Sequence, residues 1–443
     1  MKRLVVFCDG TWNESDTSQA VTNVQHLYRL LLPSSGTGEQ KIPQIGLYHA
    51  GIGISRGQPG SSFSGAIAAF SGFGTEYQVR QAYASIVGNY ESGDEIHIAG
   101  FSRGSLSAIL VARLVMKMGI LNKANLKDLG TIWNMFIEED YAIDPTWIHA
   151  QSRAVTTLAL FDTVSSMYLP GAIGSTILKA FYSKHSVFYN PEIHGISNVF
   201  HMLAMDEKRG SFWPIVLKPG LNSTGLDKWK QLWMPGCHAD IGGGGQKEQI
   251  AGVSLVWMVS QLQGLLDFDR DALIRTILDR FPPQTSSKLT AAASEDDGAM
   301  VEALWDSAKT EESLTWFWTV CDICYRRPAG YPIRKGPHLR VYEGICAVFA
   351  APYRLLKSNS LQEATPEATI PPFVQQLHPL VKTFLRRPSY RKTWWNLQDR
   401  SPDTHDGEIA QMDAFEVDIW KRVGLQSWRE NEDGVKAGEN VLE

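Results

Sequence analysis

Gly100-Phe101-Ser102-Arg103-Gly104 carries a serine between two glycines at the spacing G-x-S-x-G. A serine hydroxyl becomes a nucleophile only when a base takes its proton and an acid orients that base. The five-residue pattern is weak alone, because two common glycines and a serine recur by chance. Its flanks strengthen it. Glu95-Ile96-His97-Ile98-Ala99 alternates like a strand, and Arg103 to Met118 has a helical apolar pattern. A strand, a tight turn and a helix are what lift a nucleophilic hydroxyl clear of a sheet. The competing reading makes Ser102 a plain helix cap.

Chain order predicts an acid and then a histidine downstream of the serine. Asp162 directly follows the apolar run Thr157-Leu158-Ala159-Leu160-Phe161. His238 follows Leu232-Trp233-Met234-Pro235-Gly236 and precedes the glycine-rich Gly242-Gly243-Gly244-Gly245. Both stand where a parallel sheet collects its functional groups, beyond the carboxyl ends of strands. His201 and His49 are rival bases, and Asp206 and Asp240 are rival acids. Either site residue could instead be structural, Asp162 as a turn aspartate and His238 as a loop histidine. Asp9-Gly10-Thr11 follows the first strand and should reach the same edge. The backbone N–H of Arg103 is the first expected oxyanion donor, and the Gly10-Thr11 backbone is a second source. Asp9 would position that loop, unless it only makes an Asp-Gly turn.

The elements needed to hold these residues are legible as an alternation. Strand-like runs occur at Leu4–Phe7, Ile45–Tyr48, Glu95–Ala99, Val155–Phe161 and Gln231–Met234. Helical patterns occur at Val24–Leu32, Glu76–Val87, Arg103–Met118, Ser197–Met205 and Ala251–Leu265. Alternating strands and helices predict an α/β fold of the α/β-hydrolase type, a mostly parallel sheet with helices on both faces. Composition changes after about residue 265. The polar stretches Gln284–Gly298 and Lys357–Pro372 read as linkers between Trp-rich apolar pieces. The expected organisation is a catalytic domain over 1–265 and a mostly helical C-terminal extension over 266–443.

Together these stretches resemble a known family, the catalytic domain of type VI secretion phospholipase effectors, within a broad bacterial and fungal group of α/β-hydrolases. The resemblance rests on Leu4-Val5-Val6-Phe7-Cys8-Asp9-Gly10-Thr11-Trp12-Asn13, Tyr48-His49-Ala50-Gly51-Ile52-Gly53 and Gly93-Asp94-Glu95 leading into the serine motif. It continues through Phe161-Asp162-Thr163-Val164, through His201 to Arg209, and through Pro235 to Gly244. It implies a triad falling on Ser102, Asp162 and His238, and an ester or lipid substrate. Leu377 to Val381 and Trp394 to Leu397 look like a C-terminal element of that family. One stretch departs: Gln246-Lys247-Glu248 stands where the family has an aromatic residue and a proline.

The expected chemistry is therefore hydrolysis of carboxylic esters through an acyl-enzyme, on small-molecule or lipid esters. The alternatives are phosphate chemistry on the 242–245 glycines used as an anion nest, or a silent hydrolase fold that only binds. Pro59–Gly74, with Phe63, Ile67 and Phe70, and Met167–Phe181, with Ile173, carry apolar and small residues and almost no charge. Both read as covers over an acyl pocket or as packed insertions. No cofactor and no metal is expected. Cys321 and Cys324 form one C-x-x-C without a second pair. Five cysteines in 443 residues argue against a disulfide scaffold. A net charge of −5 argues against nucleic acid as a partner. No apolar run reaches the roughly 18 residues of a membrane span, and no secretory signal opens the sequence. A cytoplasmic location is expected, with peripheral membrane contact and signal-independent export left open. Oligomeric state is undetermined by sequence.

Overall fold

A computed structural model describes residues 1–10, 21–36, 38, 41–51, 73–150, 155–164, 186–188, 190–207, 209, 212, 214–220, 226–281, 305, 308, 378, 380 and 412–423. Seven strands form the main sheet: β1 (Arg3–Cys8), β2 (Ser34–Ser35), β3 (Ile42–His49), β4 (Glu95–Phe101), β5 (Val155–Phe161), β6 (Asn198–Ala204) and β7 (Lys228–Met234). Their order across the sheet is β7-β6-β5-β4-β1-β3-β2. Every pair is parallel except the short edge pair β2–β3. The helices between them are α1 (Asn23–Leu30), α2 (Phe73–Asn89), α3 (Arg103–Met118) and α4 (Leu129–Ile137), and α5 (His238–Gly242), α6 (Gln249–Gln261) and α7 (Arg270–Arg280) follow β7. The expected α/β architecture is present.

The period of two along β1 sorts its side chains between two cores. Val5 and Phe7 pack with Val24 and Leu27 of α1 and with the apolar side of α6. Leu4, Val6 and Cys8 pack on the other face with Val79 and Tyr83 of α2 and the apolar residues of α3. A sheet covered on both faces has near-continuous apolar strands. This explains one correction. Ser197 to Met205, expected as a helix, holds strand β6, buried at every position from Asn198 to Ala204. Buried on both faces, the run holds Asn198 and His201 but no alternation that marks a half-exposed strand, and its length fits either element.

The strand order makes β1 the pivot. The chain runs from β1 to β3 on one side, then crosses to β4 on the other. The carboxyl ends of β1 and β4 therefore flank a reversal of strand order, where open parallel sheets form their clefts. The Gly93-Asp94-Glu95 motif ties the opposite end. The Asp94 carboxylate accepts from the Lys2 amide at 2.8 Å and meets its ammonium at 2.6 Å. Arg3 Nε donates to Glu95 at 2.9 Å.

Described residues past 265 continue the first core: Leu273, Ile277, Phe281, Trp305, Leu380, Ile419 and Trp420. His378 joins through its backbone, donating to the Trp233 carbonyl in β7 at 2.9 Å. The two linker stretches, the C-x-x-C and most of the Trp-rich pieces lie outside the described residues. Among the described residues no helix is long and apolar enough to cross a membrane.

Candidate active site

The local sequence forces Ser102 into an exceptional backbone. β4 must end and α3 must begin within one residue, and Ser102 takes φ 60°, ψ −128° to do so. That left-handed φ is costly for any side chain other than glycine and persists only where neighbours hold it. Here the Ser102 amide donates to the Phe161 carbonyl at 3.0 Å, and Ser105 Oγ donates to the same oxygen at 3.1 Å. The flanking glycines are sterically required. A Cβ at Gly100 would lie 2.6 Å from the Ser105 Cα, and one at Gly104 would lie 2.5 Å from the Asp9 carbonyl oxygen. The turn is thus pressed between its own helix and the end of β1.

Asp162 follows β5 with φ 44°, the same strained region. Its Oδ1 accepts from the Ala204 amide at 2.7 Å, and its Oδ2 lies 2.6 Å from His238 Nδ1. Burial pushes the carboxyl above the ordinary range, while the hydrogen bonds from His238 and Ala204 oppose that push. His238 opens α5, and its Nε2 lies 2.7 Å from Ser102 Oγ. With the Nδ1–H donated to a carboxylate, Nε2 is left to accept the hydroxyl proton. Two aromatic rings enclose the imidazole. Phe101 stacks on it at 4.7 Å between centroids, and Phe212 meets it edge-on at 5.2 Å.

Three of the four rival groups have partners of their own. His201 sits within β6, its Nδ1 2.8 Å from Gln231 Oε1 and its Nε2 accepting from the Thr163 amide at 3.3 Å. Burial lowers its pKa to about 4. His49 ends β3, and burial likewise lowers it to about 4. Asp206 accepts from the Gly236 amide at 2.6 Å, and Asp240 accepts from the Cys237 amide at 2.8 Å as a helix-capping carboxylate. Two residues of separation within a helix turn Asp240 away from the His238 ring.

Among the described residues, Asp9 accepts three hydrogen bonds: from the Gly10 amide at 2.7 Å, from Thr22 Oγ1 at 2.8 Å and from Tyr48 OH at 2.5 Å. Burial raises its carboxyl to about 6 against those bonds. The Gly10 amide donates to Asp9, and Thr11 lies outside the described residues. Arg103 opens α3, where backbone amides point out of the helix end. Phe63, Ile67, Phe70 and Ile173 also lie outside the described residues. The glycine run is used internally in part. Gly242 packs on the Phe101 ring, and the Gly243 amide donates to the Ala239 carbonyl at 2.9 Å. That arrangement caps α5 and does not favour an open anion nest.

Two residues near His238 escaped the sequence reading. Glu207 is buried, and its Oε2 accepts from the His238 backbone amide at 3.1 Å. Phe101 was legible only as the variable residue of the serine motif.

Similar proteins give this geometry a context. The family model described as "T6SS, Phospholipase effector Tle1-like, catalytic domain" matches residues 2–261. The uncharacterized protein YEL023C of Saccharomyces cerevisiae is 23% identical over 239 residues, 49% of this chain and 33% of the yeast protein. The chain thus spans about a third of the length of that curated relative. Among solved structures, the Tle1 effector bound to the VgrG spike from the Type 6 secretion system aligns at 20% identity with a TM-score of 0.30. The alignment covers 54% of this chain and 50% of that one. An uncharacterized protein from Pseudomonas aeruginosa aligns at 15% identity with a TM-score of 0.32, over 95% of this chain and 62% of that one. The family model covers more than half of the sequence, and the chain belongs to the family of Tle1-like type VI secretion phospholipase effector catalytic domains.

Proposed function

We propose that this protein is a serine hydrolase that cleaves carboxylic esters of lipids through an acyl-enzyme. The observation that carries the reading is one hydrogen-bonded line: Ser102 Oγ to His238 Nε2 at 2.7 Å, and His238 Nδ1 to Asp162 Oδ2 at 2.6 Å. Ser102 Oγ attacks the ester carbonyl carbon while His238 takes its proton. Asp162 holds the imidazole in the tautomer with hydrogen on Nδ1 and stabilises the imidazolium that forms. The tetrahedral oxyanion is met by the Arg103 amide and a donor from the Gly10-Thr11 loop. His238 then protonates the leaving alcohol, and water, deprotonated by the same imidazole, releases the acid. Phe101 and Phe212 keep bulk water from the imidazole.

A phospholipid is the substrate class that family membership favours. The domain division at about 265 and the C-terminal helical extension belong to this same proposal. The decisive experiment uses a fluorophosphonate probe and phospholipid vesicles. Labelling at Ser102 with fatty-acid release, both lost in Ser102→Ala, supports the reading. Wild-type turnover by Ser102→Ala overturns it.

A further inference from the structure

Glu207, on the loop that follows β6, has no place in the proposed reaction, yet it lies buried directly behind the histidine. Its Oε2 accepts from the His238 backbone amide at 3.1 Å. The same carboxylate takes Arg209 in two-point contact, Nε to Oε1 and Nη2 to Oε2, each at 2.8 Å. The Arg209 amide adds a third bond to Oε1 at 2.8 Å. Arg209 in turn lies 3.9 Å over the Phe212 ring, and Phe212 meets the His238 imidazole at 5.2 Å. The chain of contacts closes on itself, from the backbone of His238 through Glu207, Arg209 and Phe212 to its side chain. A buried ion pair is a poor source of stability but a good source of fixed geometry.

We propose that Glu207, held by Arg209, is a positioning residue for His238: it anchors the histidine's backbone and supplies a second buried negative charge beside the imidazole. This rests on reading His238 as the general base. Burial alone would raise the Glu207 carboxyl, but the paired Arg209 guanidinium holds it below the ordinary range, so the charge is present at neutral pH. Among the described residues, the other charged groups on the elements around His238 include Asp162 after β5, Asp206 after β6, Asp240 in α5, Arg103 at the start of α3 and Asp9 after β1. Asp162 orients the ring through Nδ1. Glu207 fixes the main chain from which the ring hangs, and its charge adds to that of Asp162 in favouring the imidazolium.

The test reads the His238 imidazole by nitrogen-15 NMR titration in full-length protein carrying Ser102→Ala, so that no turnover is needed. Glu207→Gln keeps an acceptor for the His238 amide and removes the charge, and should lower the imidazole pKa by about one unit or more. Arg209→Gln, at a side chain 16% exposed, removes the guanidinium that keeps the buried carboxyl ionised, so Glu207 takes up a proton and the imidazole pKa should fall here too, by less than in Glu207→Gln. The double variant should match Arg209→Gln. An imidazole that titrates at the parent value in folded Glu207→Gln overturns the proposal. If Glu207→Gln does not fold, Arg209→Gln decides alone: a downward shift supports the assignment and no shift overturns it. In the active background, Glu207→Gln should cut kcat on a nitrophenyl ester by about 10- to 100-fold, with KM nearly unchanged. If fluorophosphonate labelling and turnover are absent in the parent while the titration shifts appear, the hydrolase reading has failed and the positioning has not.

Discussion

Gly104 lies so close to the carbonyl of Asp9 that a methyl group at Gly104 would stand 2.5 Å from that oxygen and collide with the Cys8 carbonyl as well. The first turn of α3 is therefore seated on the end of β1, and the serine turn is held from below by backbone. Backbone cannot swing aside as a long side chain can. Gly104→Ala should destabilise the protein by about 1–3 kcal/mol, the usual range for overpacking. It should also slow fluorophosphonate labelling of Ser102 more than it lowers stability at the working temperature. Denaturant unfolding and labelling kinetics on the same preparation check both. Unchanged labelling in a stable variant would contradict the packing argument.

Asp162 and Asp240 differ in what they hold, and their amide variants should differ accordingly. Asp162 Oδ2 takes the His238 ring, whereas Asp240 Oδ2 takes the Cys237 amide. Asp162→Asn would present an amide donor to Nδ1 and favour the wrong tautomer. A loss of about 10⁴ in kcat is expected by analogy with other triads. Asp240→Asn should cost stability, about 0.5–2 kcal/mol for a helix cap, with a smaller loss of kcat. A steady-state comparison of the two decides between them, and the reverse ranking would move the acid to Asp240.

Much of this arrangement was legible in the chain because local rules agreed. β5 was bounded by the sequence at Val155 and Phe161, and α3 at Arg103 and Met118. Asp162 and His238 were named from chain order, from the apolar runs they follow and from the resemblance, with Asp206, Asp240, His201 and His49 kept as rivals. What failed, failed for identifiable reasons. β6 is buried throughout and shows no polar–apolar alternation, so neither period stood out, and a helix was expected where a doubly covered strand occurs. Helix α4 was missed, and α7 was expected only as part of a mostly helical extension. Glu207 was beyond reach because Asp206-Glu207-Lys208-Arg209 reads as a solvated charged turn. The return of the chain at His238, 31 residues later, brings a backbone amide onto Glu207.

Asp9 should leave a signature in the pH dependence of stability. Its carboxyl is raised from 3.8 to about 6 by burial in the folded state. A raised acid binds its proton more readily folded than unfolded, so its contribution favours folding at low pH. That contribution is complete below about pH 4 and is lost as pH rises through about 6. The span corresponds to an order of about 3 kcal/mol. Relative to Asp9→Asn, which does not titrate, the wild type should lose stability between pH 4 and 7. Urea unfolding of both proteins across that range measures the difference, and a difference independent of pH would rule out the raised carboxyl.

The final prediction concerns the acyl group. Pro59–Gly74 and Met167–Phe181 offer apolar residues, among them Phe63, Ile67, Phe70 and Ile173, and only Lys179 carries a charge within either stretch. If they line an acyl site, each methylene of the substrate that leaves water should contribute up to about 0.8 kcal/mol. kcat/KM should then climb by as much as about fourfold per methylene from acetyl to longer nitrophenyl esters, until the site is full. Phe70→Asp and Ile173→Asp would place a carboxylate among those apolar groups. Each should penalise decanoyl esters far more than acetyl esters while fluorophosphonate labelling of Ser102 stays normal. Packed insertions behave differently: the same variants would lose stability, labelling and every ester activity together. An efficiency flat from acetyl to decanoyl would count against a lipid substrate and favour a small-ester hydrolase built on the same Ser102, His238 and Asp162 line.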